Sequence, residues 1–249
     1  MNAALILFLV ASTARLDVGL DEHVGAQVPR DLPFVDSQGH ATTLGATLGT
    51  GRPTVLVMAY ARCTMLCSVV LHGVADSIRG SELVPGRDYT PVVVSLDPHE
   101  TPAEGARRQD ALLASIGRPN QRDAWPYLVG DEASIARLAN TLGFRFAWDP
   151  DTQQFAHPAV VFVLAPDGTI AEYVRGVTFD GLPAAIRRAA AGQRTTDTAS
   201  DLLSCFHFDP SLHRYGRQIG LVLRLGAALV LAVLALLIAW LVYLDRRRA

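Results

Sequence analysis

Pro53-Thr-Val-Leu-Val-Met-Ala-Tyr60, followed at once by Ala-Arg-Cys63-Thr-Met-Leu-Cys67, is the stretch on which the reading of this chain turns. An uncharged run rich in Val, Leu and Met predicts a strand buried on both faces. The residues after Cys67 follow a helical pattern that predicts a helix to about Arg79. Two thiols four residues apart at a strand-to-helix turn are expected on one face of the helix's first turn. Backbone N–H groups and the helix dipole favour thiolates there. The pair can therefore be oxidised to a disulfide or hold a soft metal ion, and the rest of the chain has to decide between those uses.

Upstream, residues 15–30 are polar and patternless and read as a tether or surface arm. Residues 32–44 predict two short strands around a Ser-Gln-Gly turn. Downstream, Tyr89 to Leu96 is a second apolar strand, and Thr101 and Pro102 open a helix that runs to about Ile116. Trp125 to Val129 is a short strand, and Asp131 caps a helix reaching Leu142, with Glu132 in its first turn. Ala159 to Leu164 is a third buried strand, turning at Pro166-Asp-Gly168 into a hairpin partner over Thr169–Arg175. A last amphipathic helix covers Phe179 to Ala191. Strands alternating with helices, then a hairpin and a final helix, predict an α/β domain with a mixed sheet flanked by helices. A dithiol ahead of a helix in that pattern suggests a thioredoxin-like fold, although the redox motif of that fold usually has two residues between its cysteines, not three.

The two ends differ from this domain. Leu225 to Leu244 is an uncharged stretch of twenty residues followed by Arg246-Arg-Arg248, with Trp240 and Tyr243 near its end. As a helix it would be about 30 Å long, the thickness of a bilayer's hydrocarbon core. It is expected to be a C-terminal transmembrane helix, with a fully buried globular helix as the alternative. At the other end, the apolar run Ala3–Ala11 and the small residues Ser12 and Ala14 suit a signal peptide, with an uncleaved anchor as the alternative. Either reading exports the middle of the protein and leaves the arginine tail cytoplasmic. With 22 basic and 24 acidic residues, the charge balance argues against nucleic acid as a partner. Three cysteines is an odd number, so in an oxidising compartment they are not all in structural bridges.

His157 precedes the third buried strand, at the level where a loop overhangs the edge of a sheet. Taken alone it would be a surface or hydrogen-bonding histidine; beside two thiolates it becomes a third ligand. Two sulfurs and one imidazole suit copper, the thiolates selecting Cu(I) and the imidazole keeping Cu(II) acceptable. Asp97, at the end of the second strand, is expected to cap the following helix, or else to hydrogen-bond the site. His72 is expected on the turn beyond Cys67, facing solvent, and His23, His40 and His99 at the surface. Cys205, with His207 and His213 nearby, reads as a thiol on a docking segment, or else as a second copper-handling group.

Four segments resemble the Sco/SenC copper-insertion family, which serves cytochrome c oxidase. Tyr60-Ala-Arg-Cys-Thr-Met-Leu-Cys67 is similar to the family's strand-end Cys-x-x-x-Cys. Ser95-Leu-Asp-Pro-His-Glu-Thr-Pro102 resembles its Ser-Val-Asp-Pro-x-x-Asp-Thr-Pro, and Trp125-Pro-Tyr-Leu-Val-Gly130 its Trp-x-x-Leu-x-Gly. His157 matches its distal histidine, and order and spacing agree over about residues 28–192. The resemblance implies a membrane-tethered, thioredoxin-like copper protein with Cys63, Cys67 and His157 as ligands. Three features depart from the family. Thr64 and Ser68 stand where proline often follows each cysteine, Ala156 where Asp often precedes the histidine, and the apolar anchor is C-terminal. The expected organisation is a signal peptide over 1–14, an arm over 15–30 and a copper-binding domain over 31–192. A linker and juxtamembrane segment follow over 193–218, then a transmembrane helix over 219–244 and a cytoplasmic tail over 245–249.

On this reading the protein is a metallochaperone on the extracytoplasmic side of the cell membrane, delivering copper to the copper-bearing subunit of cytochrome c oxidase. Its further partners would be a copper donor and a thiol reductant. The alternative is a thiol–disulfide oxidoreductase that reduces the oxidase's copper-ligand cysteines through the Cys63/Cys67 redox dithiol. A peroxidase of the peroxiredoxin type would need Pro and Thr or Ser where Leu56 and Tyr60 stand. A structural zinc site would need a fourth ligand.

Overall fold

The apolar run from Pro53 lies at the centre of a seven-stranded mixed sheet. The computed structural model describes residues 16–63, 66–119, 121–195, 208–209, 214–215, 225–238 and 240. The chain divides into two units, Met1–Thr196 and Asp197–Ala249. In the first, the elements in chain order are β1 (Gly19–Leu20), β2 (Pro33–Asp36), β3 (Ala41–Thr43), α1 (Leu44–Thr47) and β4 (Thr54–Ala59). Then come α2 (Leu66–Arg79), β5 (Thr90–Ser95), α3 (Pro102–Ser115), β6 (Tyr127–Val129) and α4 (Glu132–Thr141). The last are β7 (Phe144–Arg145), β8 (Ala147–Asp149), β9 (Gln154–Ala156), β10 (Val160–Leu164), β11 (Ile170–Arg175) and α5 (Leu182–Ala190).

Across the sheet the order is β11-β10-β4-β5-β6-β2-β3. The central β4-β5-β6 ladder is parallel, and the strands outside it on both sides run antiparallel to their neighbours. All six residues of β4 and all six of β5 are buried, as strands covered by helices on both faces must be. α2 and α5 pack against each other, while α3 lies on β6. The helix starts follow the sequence's capping signals. Thr101 and Glu104 form a reciprocal capping box at α3, and the Asp131 carboxylate accepts the Ser134 N–H at 2.7 Å at α4.

Residues 16–30 do not behave as a free arm. β1 pairs antiparallel with β7, and the Val28 N–H donates to the Gly168 carbonyl at 3.1 Å. Gly143 makes this docking possible: at φ 61°, a Cβ there would lie 1.7 Å from the Asp21 carbonyl oxygen. In the second unit, residues 208–209 pair with 214–215, and 225–238 and 240 are helical. The transmembrane helix expected over 219–244 is not found: among the described residues no helix is long and apolar enough to cross a membrane. The described helical residues, 225–238 and 240, cover only part of that expected span. The rest of the expected span, the leader over 1–14, the tail, Cys205, His207 and His213 lie outside the described residues.

Candidate metal centre

The strand-to-helix turn places Cys63 ahead of α2 and Cys67 in its first turn, so the thiols do not share a helix face as expected. Instead, the Cys63 sulfur accepts the Cys67 backbone N–H at 3.2 Å, the position of a capping acceptor. The cause is the tight turn after β4, where the Cys63 N–H reaches back to the Tyr60 carbonyl at 3.4 Å. Both cysteines are buried, and neither is in a disulfide. Burial, reinforced by the neighbouring Cys63, pushes the Cys67 thiol well above the ordinary range, so without metal it keeps its proton.

His157 reaches this turn because β10 runs antiparallel beside β4. Phe162 lies opposite Leu56 and Leu164 opposite Thr54, so the chain entering β10 lies level with the turn leaving β4. The imidazole is buried and stands 3.3 Å from Cys67 Sγ through Nε2. Its Nδ1 lies 3.1 Å from the Pro158 carbonyl, which assigns the ring proton to Nδ1 and turns the Nε2 lone pair toward the sulfur. The expected Asp neighbour is absent, and a backbone carbonyl orients the ring in its place. Cys63 Sγ, Cys67 Sγ and a His157 nitrogen all lie within 4.8 Å of one another. An ion held in their plane by bonds of about 2.0–2.3 Å needs donors about 3.5–4.0 Å apart, so the cluster closes on an ion with small side-chain adjustments.

Asp97 is buried but holds neither the cluster nor the α3 cap. Its carboxylate pairs with Arg62, the residue before Cys63, and accepts the His99 N–H at 2.9 Å. Glu100 takes a role that the sequence did not signal. Its buried carboxyl accepts the Ala61 N–H at 2.7 Å and the Ser95 hydroxyl at 2.9 Å, and so supports the same turn from below. Burial raises its pKa above the ordinary carboxylate range. His72 is exposed on α2, its Nδ1 2.7 Å from the Ser68 carbonyl, and His23, His40 and His99 are also exposed. Aromatic rings close the other side: Phe144 lies 6.1 Å from the His157 ring, and Tyr60 and Phe155 meet edge to face at 5.4 Å. Beyond them opens a groove of about 870 Å³, lined by Arg62, Asp97, Phe146, Trp148 and Phe155 among others.

A mixed sheet flanked by helices, with two thiols and an imidazole converging at the turn after β4, fits a thioredoxin-like protein with three donors that could hold a metal ion. The sequence profile of the SCO1/SenC family matches residues 22–189, and the chain belongs to that family. No curated protein matches it. Among solved structures, a protein from Aquifex aeolicus VF5 is 26% identical, with 68% of this chain and 95% of that one aligned at a TM-score of 0.59. ScoI of Arabidopsis thaliana, solved with copper bound, is 19% identical over 66% of this chain and 99% of that one, with a TM-score of 0.53. BsSco, described as a Sco-family cytochrome c oxidase assembly protein with a disulfide switch, is 16% identical over 69% and 98%, with a TM-score of 0.52. At such identities the last two share the fold.

Proposed function

We propose that this protein is a membrane-anchored copper carrier that loads the copper-bearing subunit of cytochrome c oxidase during its assembly. The observation that carries the reading is the meeting of Cys63, Cys67 and His157 within 4.8 Å. Family membership and the copper held by the Arabidopsis relative support it. Copper is the cargo. Two soft thiolates select Cu(I), and the two thiol protons leave to solvent as the ion enters. The Nδ1–H of His157 stays on the Pro158 carbonyl, so Nε2 can bond the ion without losing a proton. With three protein donors, an incoming ligand from the acceptor can attack the ion before a sulfur lets go, and transfer proceeds by ligand exchange.

The same reduced dithiol supports a second reading, a thiol–disulfide oxidoreductase acting on the oxidase's copper-ligand cysteines. It is favoured by two cysteines outside any disulfide whose sulfurs lie within 4.8 Å of each other. In that chemistry a thiolate attacks the acceptor disulfide, a mixed disulfide forms, and the second thiol resolves it. His157 has no bond to make there. Anchoring by the apolar Leu225–Leu244 stretch, with export led by residues 1–14, would hold the domain on the extracytoplasmic face, near a membrane-bound acceptor. A copper donor and a thiol reductant complete the partners.

The test is anaerobic titration of the reduced full chain with Cu(I) against a chromogenic chelator, wild type beside His157→Ala. A carrier takes up one ion per chain, and the substitution weakens binding by more than the about ten- to a hundredfold that loss of a ligand's outer partner costs. Weak uptake indifferent to His157, together with rapid reduction of a disulfide made from the oxidase's copper-ligand segment, would leave the oxidoreductase.

A further inference from the structure

We infer that Tyr60 is a positioning residue that ties the two halves of the centre together, its hydroxyl joining the His157-bearing hairpin to the turn that carries Cys63 and Cys67. The two sulfurs and the imidazole arrive on separate pieces of chain. Cys63 and Cys67 sit on the turn after β4, whereas His157 follows the β8–β9 hairpin, whose own pairing is confined to three residues on each side. So short a hairpin is not rigid by itself. Tyr60, the first residue after β4, meets both pieces. Its hydroxyl accepts the Phe155 N–H at 3.2 Å, two residues before His157. The Tyr60 ring packs edge to face on Phe155 at 5.4 Å, and its backbone carbonyl accepts the Cys63 N–H at 3.4 Å. One buried side chain therefore sets the distance between imidazole and thiols. The ring alone would fill the space; the hydroxyl is what joins the two halves.

The inference rests on the copper reading for its metal-bound part and stands by itself for the clamp. Tyr60→Phe keeps the ring and removes the hydroxyl. In the metal-free full chain, amide exchange at Phe155 is expected to accelerate. Cu(I) affinity against the chelator is expected to fall about tenfold, the usual effect of losing an outer hydrogen bond at a metal site. A folded Tyr60→Phe protein with the exchange and affinity of wild type overturns the inference. So does a lowered melting temperature with both unchanged, since the hydroxyl would then serve the core alone. If the wild type itself takes up no copper, the carrier reading falls, while the metal-free exchange at Phe155 still decides the clamp.

Discussion

At the scale of single residues, the centre is held by groups that touch no donor. Asp97 fixes Arg62, and Glu100 fixes the Ala61 amide, so the short path from β4 to Cys63 is anchored at two successive residues. Glu100 also makes the fold sensitive to pH. Its folded-state pKa lies above the ordinary 4.5 because burial penalises the charged form. The folded protein thus holds this proton more tightly than the unfolded chain does. The stability Glu100 contributes is fully present below the ordinary value and is lost as pH rises through the folded value. Glu100→Gln remains neutral at every pH and keeps an oxygen for the Ala61 and Ser95 donors. In urea unfolding between about pH 4 and 8, wild type is expected to lose stability relative to Glu100→Gln as pH rises above the glutamate range. Parallel curves would show that the carboxyl is not buried in its charged form. Neither residue's role was legible beforehand: Asp97 read as a cap for the following helix, or else as a hydrogen-bond partner of the site, and no pattern singles out Glu100.

Among the elements, α2 is held by a close backbone approach. Gly73 lets this helix approach the segment between β11 and α5: a Cβ there would lie 2.2 Å from the Val177 carbonyl oxygen and 3.1 Å from the Phe179 ring. Backbone cannot yield as a flexible side chain can, so Gly73→Ala must move α2, and with it Cys67. It is expected to destabilise the domain by about 1–3 kcal/mol, the range for overpacking, read from the urea midpoint. An unchanged midpoint would mean that α2 slides freely over this contact. The helices were readable because their caps are local: Thr101 with Glu104, and Asp131 with Ser134, lie three residues apart. The β8–β9 hairpin was not. Its strands have three residues each, and its turn depends on Gln153 at φ 53° and on the Asp149 carboxylate accepting from Asp151 and Thr152. Asp149-Pro150 does signal a turn, but three-residue strands on either side are too short to show a period.

For the whole molecule, the proposed division of labour puts copper in the first unit and attachment in the second. Removing residues 197–249 is expected to shift the protein from the membrane pellet to the soluble fraction while Cu(I) uptake per chain stays the same. Retention in the pellet would place the anchor at residues 1–14, and loss of uptake would give the second unit a share in the centre. The docking of residues 16–30 along β7 and β11 was invisible in the sequence. Backbone pairing leaves no mark in a polar segment, and the one signal, Gly143, acquires meaning only once Asp21 lies against it.

Sequence alone determined the kind and order of the main elements, the dithiol at the strand-to-helix turn and the apolar tail. Each is written in local terms: hydrophobic period, capping spacing, and runs long enough to count. Only the tertiary structure decided that His157 stands 3.3 Å from Cys67 across 90 residues of chain, and that Tyr60 and Glu100 brace the turn between them. The meetings at His157 and Tyr60 follow from the antiparallel register of β10 on β4, and that at Glu100 from the parallel register of β5 on β4. Register is settled by how the whole sheet packs, because a shift of one residue would turn every buried side chain of a strand to its other face.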